Sequence, residues 1–485
     1  MSSDSAKLLA VAAAAGAAAG TAGVIAYAAI KAATDRQQSV YSNGEVSPAL
    51  QATGAPHEFD RTTAGNRASK QGVVASWTRP VVIASKGLEE LAATLRKRLG
   101  SEEFPEAAGP TLSVEYFTSK DPNMKFNWQR VVGRKIIFLF DTVDQSKLFE
   151  QLSLLQALQG FAVPDGGDKE SKWKTYVDQG KYSWGRASHI TVVLPWYRPC
   201  QMERTSRWSL SDGKWTNGDP QGQWLDVPTA QYLARLLSTP GSVPPLPGPH
   251  ESLDGMPLNP LWRPPLELLF VELHEERPIS HSVSDLGATI RMERFVPYFL
   301  DKFKARKEYA GTAKTFVLFP DHGAYVRYVD SVVNRLKLDA DHILYIKKSR
   351  VGEKTEIEQN LFYETGEEDA EGNKKGGQKK AFNAGDDVLI IDDFTNSGGT
   401  LFGAVNLAKG MCPDSSGLRV TIFVSHLVAA YDPGVVENLK KKLHALGSQT
   451  RFVTTNTIPV TTDLLKNDPQ CQVVDVSDFI AELVH

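Results

Sequence analysis

The stretch from Asp386 to Ala404, DDVLIIDDFTNSGGTLFGA, restricts the fold more than any other part of the chain. Val388 to Ile391 is a short apolar, β-prone run of the kind that sits buried in a parallel sheet. Two acids, Asp392 and Asp393, follow it directly. Small hydroxyl and glycine residues run from Thr395 to Thr400, and an apolar helical pattern opens at Leu401. The spacing predicts strand, turn and helix, with both acids at the carboxyl end of the strand, where open α/β sheets bind their ligands.

The chemistry of that turn is mixed. A helix N-terminus behind a loop of unpaired amides attracts phosphate, whereas two carboxylates repel it. The combination suits a ligand with phosphate on one side and hydroxyls on the other. Vicinal ribose hydroxyls would donate to Asp392 and Asp393, and Thr395, Asn396, Ser397, Gly398, Gly399 and Thr400 would hold a 5-phosphate. No Gly-Lys-Ser/Thr follows, so this is not a P-loop. The plain alternative is a solvated Asp-Asp turn before an ordinary helix.

Elsewhere apolar strand-length runs alternate with helical periodicity. Strands are expected at Val81–Ala84, Leu112–Phe117, Lys135–Phe140, His189–Leu194, Leu266–Leu273, Thr315–Phe319, Ile343–Lys347 and Val420–Val424. Helices are expected at Gly87–Leu99, Leu148–Leu158, Gln231–Leu237, Phe295–Phe303 and Tyr325–Leu336. Such alternation means doubly wound α/β with parallel sheets. It occurs twice, with a break near 285–290, so the expected domains are 76–287 and 288–485 behind an N-terminal segment, 1–75. Asp165–Lys181, the proline-rich residues 239–265 and the charged, glycine-rich Glu358–Lys380 read as inserted loops, the last of them mobile.

A net charge of −3 and a pI of about 6.4 argue against nucleic acid as the main partner. Cys200, Cys412 and Cys471 are scattered without a CxxC, which implies a reducing compartment with no disulfide framework and no zinc site. Leu8 to Ile30 is uncharged, mostly Ala and Gly, and long enough to cross a bilayer as a helix. A membrane anchor, a cleaved organelle-targeting peptide and a partner-bound Ala-rich helix compete for it. An anchor in an organelle membrane, mitochondrial or chloroplast, is the leading expectation; the alternative location is cytoplasmic. The polar residues up to about 75 would be a tether.

With the Asp-Asp loop and the doubled body in hand, the chain resembles the ribose-phosphate pyrophosphokinases (phosphoribosyl pyrophosphate synthetases), most of all the divergent plant-type class. FEQLSLLQAL (Phe149–Leu158), VVLPWY (Val192–Tyr197), LHEER (Leu273–Arg277), FPDHGAYVRY (Phe319–Tyr328) and VTTNTIP (Val453–Pro459) carry the resemblance over most of residues 80–485. It implies two tandem phosphoribosyltransferase-like domains. The implied reaction is transfer of diphosphate from ATP to ribose 5-phosphate with Mg²⁺. It also implies an ATP pocket shared between subunits, hence a homo-oligomer or a place in a larger assembly.

By the same resemblance Lys348 and Arg350 would be catalytic cations, His274 and Asp321 metal-site residues, and Phe117 and Arg204 contacts for ATP. The sequence departs from the family on the nucleotide side. Gln201 and Met202 stand where the better-known class has an Arg-Gln pair, and Phe117–Lys120 lacks an acid-glycine pair. A second expectation therefore stands beside the first: a catalytically impaired relative acting as a membrane-tethered structural or regulatory subunit.

Overall fold

The computed structural model describes residues 79–101, 111–164, 182–185, 187–202, 209–211, 214–216, 226–242, 264–284, 286–306, 311–350, 357–368, 374–379 and 381–484. Leu8–Ile30, Asp165–Lys181 and Arg204 lie outside these residues.

The first sheet is all-parallel, in the order β1-β4-β7-β10-β11. Its strands are β1 (Val81–Ala84), β4 (Lys135–Leu139), β7 (His189–Leu194), β10 (Leu266–Val271) and β11 (Thr289–Glu293). Three two-stranded hairpins stand outside it: β2 (Leu112–Tyr116) with β3 (Pro122–Phe126), β5 (Phe161–Pro164) with β6 (Tyr182–Gly185), and β8 (Ser209–Ser211) with β9 (Lys214–Thr216). The second sheet has the order β15-β14-β13-β12-β16-β17-β18-β19. It comprises β12 (Thr315–Phe319), β13 (Ile343–Arg350), β14 (Ile357–Glu368), β15 (Lys374–Lys379), β16 (Asp387–Thr395), β17 (Arg419–Leu427), β18 (Thr450–Thr455) and β19 (Cys471–Val474). The last strand of the first sheet ends at Glu293, and the first of the second begins at Thr315.

Helices α1 (Glu89–Arg98), α2 (Leu148–Gln159), α3 (Thr229–Ser242), α4 (Glu276–Val283), α5 (Phe295–Lys304), α6 (His322–Leu336), α7 (Gly399–Gly410), α8 (Pro433–Ala445), α9 (Pro459–Thr462) and α10 (Ser477–Val484) cover the sheets. One continuous core joins both. Val82, Ile137, Leu139 and Leu269 from the first sheet share it with Val317, Phe319, Leu389, Ile391 and Phe423 from the second. Leu91, Phe295, Phe299, Tyr328 and Phe479 fill it from α1, α5, α6 and α10. Phe299 stacks on Phe423 with ring centroids 3.7 Å apart. The outer face of the second sheet packs Val388, Ile390 and Val424 against Leu401, Phe402 and Val405 of α7. Parallel strands covered on both faces are apolar on both, which is why their runs read as continuous rather than alternating.

Two expectations change. The Asp386–Ala404 strand does not stop at Ile391. β16 continues through both acids to Thr395, pairing Asp392 with Val424 and Phe394 with His426. Glu358–Lys380 is not a loop over its length: β14 and β15 form an antiparallel hairpin added to the sheet edge beside β13. Lysines and charge are tolerated on an edge strand, so composition alone misreads it. Its glycines serve close packing, since a Cβ on Gly377 would lie 2.5 Å from the Tyr363 hydroxyl. Among the described residues no helix is long and apolar enough to cross a membrane.

Candidate functional site

The carboxyl ends of β10, β12 and β16 and the N-termini of α6 and α7 bring the site residues together. Behind Thr395, the turn Asn396–Gly398 leads into α7. Gly398 is the N-cap with φ +72° and offers no side-chain cap. A Cβ there would lie 2.6 Å from the Phe402 ring, so both backbone conformation and space require glycine. The first intrahelical bond runs from Phe402 N–H to Gly398 C=O. The amides of Gly399, Thr400 and Leu401 are the orphan donors of the helix start, and Gly399 and Thr400 are exposed. Gly399 and Thr400, expected in the loop, are thus the first residues of the helix.

Asp392 is half-buried, and its Oδ1 accepts from the Asp393 N–H at 3.0 Å. Burial, the neighbouring Asp393 and then Asp321 push its carboxyl well above the usual carboxylate range. Asp393 is 3% exposed. Its Oδ1 accepts from Phe394 N–H at 2.9 Å. Its Oδ2 lies 2.6 Å from Nδ1 of His274 and accepts from the Arg327 guanidinium. Burial alone would raise its pKa. The His274 hydrogen bond and the Arg327 charge outweigh that and bring it down to about 2. Arg327 remains charged in spite of its own burial because Asp393 faces it.

Behind this cluster lies Glu272, at the end of β10, with φ +50° and 1% exposure. Its Oε2 accepts from the N–H groups of Phe295 and Val296 at 2.7 and 3.0 Å, capping α5, and Tyr328 donates to its Oε1 at 2.8 Å. His426, fully buried, places Nδ1 2.8 Å from Thr457 Oγ1 and Nε2 3.1 Å from the Glu272 carbonyl. Its ring packs 4.5 Å from that of Trp196. Trp196 Nε1 donates to the Tyr431 hydroxyl at 2.9 Å, and the Arg198 guanidinium lies 4.4 Å over the Tyr431 ring. Ala429, Ala430 and Tyr431 all have positive φ, a strained run of the kind found beside functional sites.

Of the expected site residues, Asp392, Asp393, His274 and the Thr395–Thr400 segment are gathered here. Asp321 caps α6, accepting from Ala324 N–H at 2.9 Å, and acts electrostatically on Asp392. Lys348 and Arg350 lie in β13, their backbones paired with Gln359 and Ile357. Phe117 lies just past β2 at the hairpin turn and is 57% exposed. Arg327, Glu272, Tyr328, His426 and Tyr431 were not anticipated as site residues. Arg327 and Tyr328 lie in a segment that carries the resemblance, but only the meeting of distant segments gives any of the five a role.

Mg²⁺ takes oxygen ligands and often keeps water, binding through one or two carboxylates plus substrate phosphates. Asp392 and Asp321 suit that chemistry, whereas Nδ1 of His274 is committed to Asp393. Among the described residues no three Asp, Glu, His or Cys side chains group to hold a metal.

No family model matches the chain, and no curated protein matches it. Among solved structures, the phosphoribosylpyrophosphate synthetase from Mycobacterium smegmatis aligns with a TM-score of 0.51 at 17% identity, covering 84% of this chain and 97% of that one. The adenine phosphoribosyl transferase from Trypanosoma brucei, in complex with AMP, pyrophosphate and ribose-5-phosphate, aligns at 12% identity with a TM-score of 0.18, too low to carry an argument. It covers 37% of this chain and 62% of that one. At such identities a likeness speaks for architecture, and the chain has the two-sheet α/β fold of a phosphoribosylpyrophosphate synthetase.

Proposed function

We propose that the protein is a ribose-phosphate pyrophosphokinase, transferring diphosphate from ATP to the C1 hydroxyl of ribose 5-phosphate to give phosphoribosyl pyrophosphate and AMP. One observation carries the reading: the uncapped N-terminus of α7, with Gly398 held left-handed, follows directly on the strand that carries Asp392. The amides of Gly399, Thr400 and Leu401 and the hydroxyls of Ser397 and Thr400 bind the 5-phosphate. Asp392 accepts from a ring hydroxyl. These contacts orient C1.

Such transfer is mostly positioning and neutralisation of charge. Lys348 and Arg350 supply cations toward the phosphates. Mg²⁺, held by Asp392 and Asp321 together with the substrate phosphates, would supply further neutralisation. Phe117 and Arg204 are the proposed contacts for ATP, in a pocket completed by a neighbouring subunit. A homo-oligomer follows, which light scattering would test. Through Leu8–Ile30 the body is tethered to an organelle membrane; complete release by alkaline carbonate would remove that proposal.

A second reading, a non-catalytic subunit of a larger assembly, is favoured by one observation. Lys348 and Arg350 sit in a strand paired to the β14 hairpin, where an active enzyme of this kind needs a closing loop. Assay of AMP and phosphoribosyl pyrophosphate formation from ATP, Mg²⁺ and ribose 5-phosphate separates the two. No turnover with intact ribose 5-phosphate binding selects the second.

A further inference from the structure

We infer that the acid pair is split in function: Asp392 alone addresses the sugar, while Asp393 is a positioning residue that anchors His274 and Arg327 where the two sheets meet. This rests on the ribose-phosphate reading above and refines it.

The reason lies in the extension of β16. Because the strand runs on through both acids, consecutive side chains fall on opposite faces. Ile390 belongs to the outer core with Leu401, Phe402 and Val405 of α7, and Asp392 shares its face. Ile391 belongs to the inner core that joins the two sheets, and Asp393 shares that face. The strand therefore starts the two side chains from opposite faces, while their carboxyl groups still meet at its end; what separates the acids is the set of partners that each one holds.

The partners of each acid agree with the geometry. Asp393 is 3% exposed, and its two oxygens accept from Phe394 N–H, His274 and Arg327. A carboxylate has about four acceptor sites, and three are taken. Burial and these three partners leave a sugar hydroxyl little access, and displacing Arg327 would strand a buried cation. Asp392 is half-buried, and its hydrogen bond to the Asp393 amide uses one oxygen. His274 follows the first sheet and Arg327 lies on α6, so Asp393 ties three separate segments at one point. An Asp-Asp pair in sequence is thus not an Asp-Asp pair toward a ligand.

The test uses the full chain and ribose 5-phosphate as probe, by calorimetry without nucleotide. Asp392→Asn should weaken binding roughly tenfold, as expected for loss of a hydrogen-bond acceptor at the sugar. Asp393→Asn should leave affinity within about threefold of wild type but change the imidazole nitrogen spectrum of His274 at fixed pH. Arg327→Gln, which opens a route to Asp393, should not tighten binding. The proposal is overturned if Asp393→Asn loses as much affinity as Asp392→Asn with the His274 spectrum unchanged, or if Arg327→Gln binds more tightly. Should Asp393→Asn fail to fold, the Arg327→Gln affinity decides. If the wild type binds no ribose 5-phosphate, the functional reading fails. The anchor role is then judged by the spectrum alone, and an unchanged His274 signal in Asp393→Asn overturns it.

Discussion

The Tyr328 hydroxyl donates to Oε1 of Glu272 at 2.8 Å, joining α6 of the second half of the chain to the end of β10 in the first. Both residues are essentially without solvent contact. Burial raises the Glu272 pKa against the lowering effect of Tyr328 and the two α5 amides. Tyr328→Phe should cost about 1–3 kcal/mol, the usual penalty for a buried acceptor left without its donor. Glu272→Leu should cost more, because it strands the Phe295 and Val296 amides as well. Urea unfolding measures both, and a Tyr328→Phe midpoint equal to wild type would contradict this account.

His426 gives a pH prediction. Burial lowers its pKa from 6.5 to about 4, so the folded chain holds it neutral while the unfolded chain binds a proton below about 6.5. Between those values the unfolded state binds more protons, and stability rises with pH. Lowering the pH from 7 toward 4 should remove on the order of 3 kcal/mol through this group, read as a falling thermal midpoint. In His426→Gln that part of the slope should disappear; an unchanged slope would assign it to other groups.

Gly398→Ala tests the phosphate turn separately from the acids. A left-handed non-glycine residue costs roughly 1–2 kcal/mol, and here the added methyl also meets the Phe402 ring. Ribose 5-phosphate affinity should fall more than the melting temperature does. Wild-type affinity in this variant would mean that the α7 N-terminus does not hold the phosphate.

If the protein turns over, Lys348→Ala and Arg350→Ala should each lower kcat by about 10²–10³, typical for loss of one preorganised charge-stabilising group. KM should change much less, because the charge they meet is larger in the transition state than in the bound substrates. Steady-state kinetics with near-normal kcat in both variants would sink this role.

Much of the architecture was legible before any fold was considered. Val81–Ala84, His189–Leu194 and Thr315–Phe319 are strands where their apolar runs lie, and Leu148–Gln159 is a helix where its periodicity predicts one. Local backbone preference and burial on both faces leave such segments little choice. The glycine turn before α7 was legible for the same reason, since Gly398 is dictated by its own φ and its nearest ring.

What the sequence determined by itself was therefore local: the alternating elements, the turn chemistry at Gly398 and the presence of acids beside it. Tertiary structure alone decided which way those acids face. The length of β16 depends on pairing with β17, a partner that no local pattern around Asp392 can specify, and one added strand residue moves a side chain from one face to the other. The same holds for Glu358–Lys380, whose charges suit a loop or an edge strand equally well until β13 offers an edge to pair with. Arg327, Glu272 and His426 acquire roles only because burial makes an unpaired polar group costly, so each must find its partner across a long interval of chain.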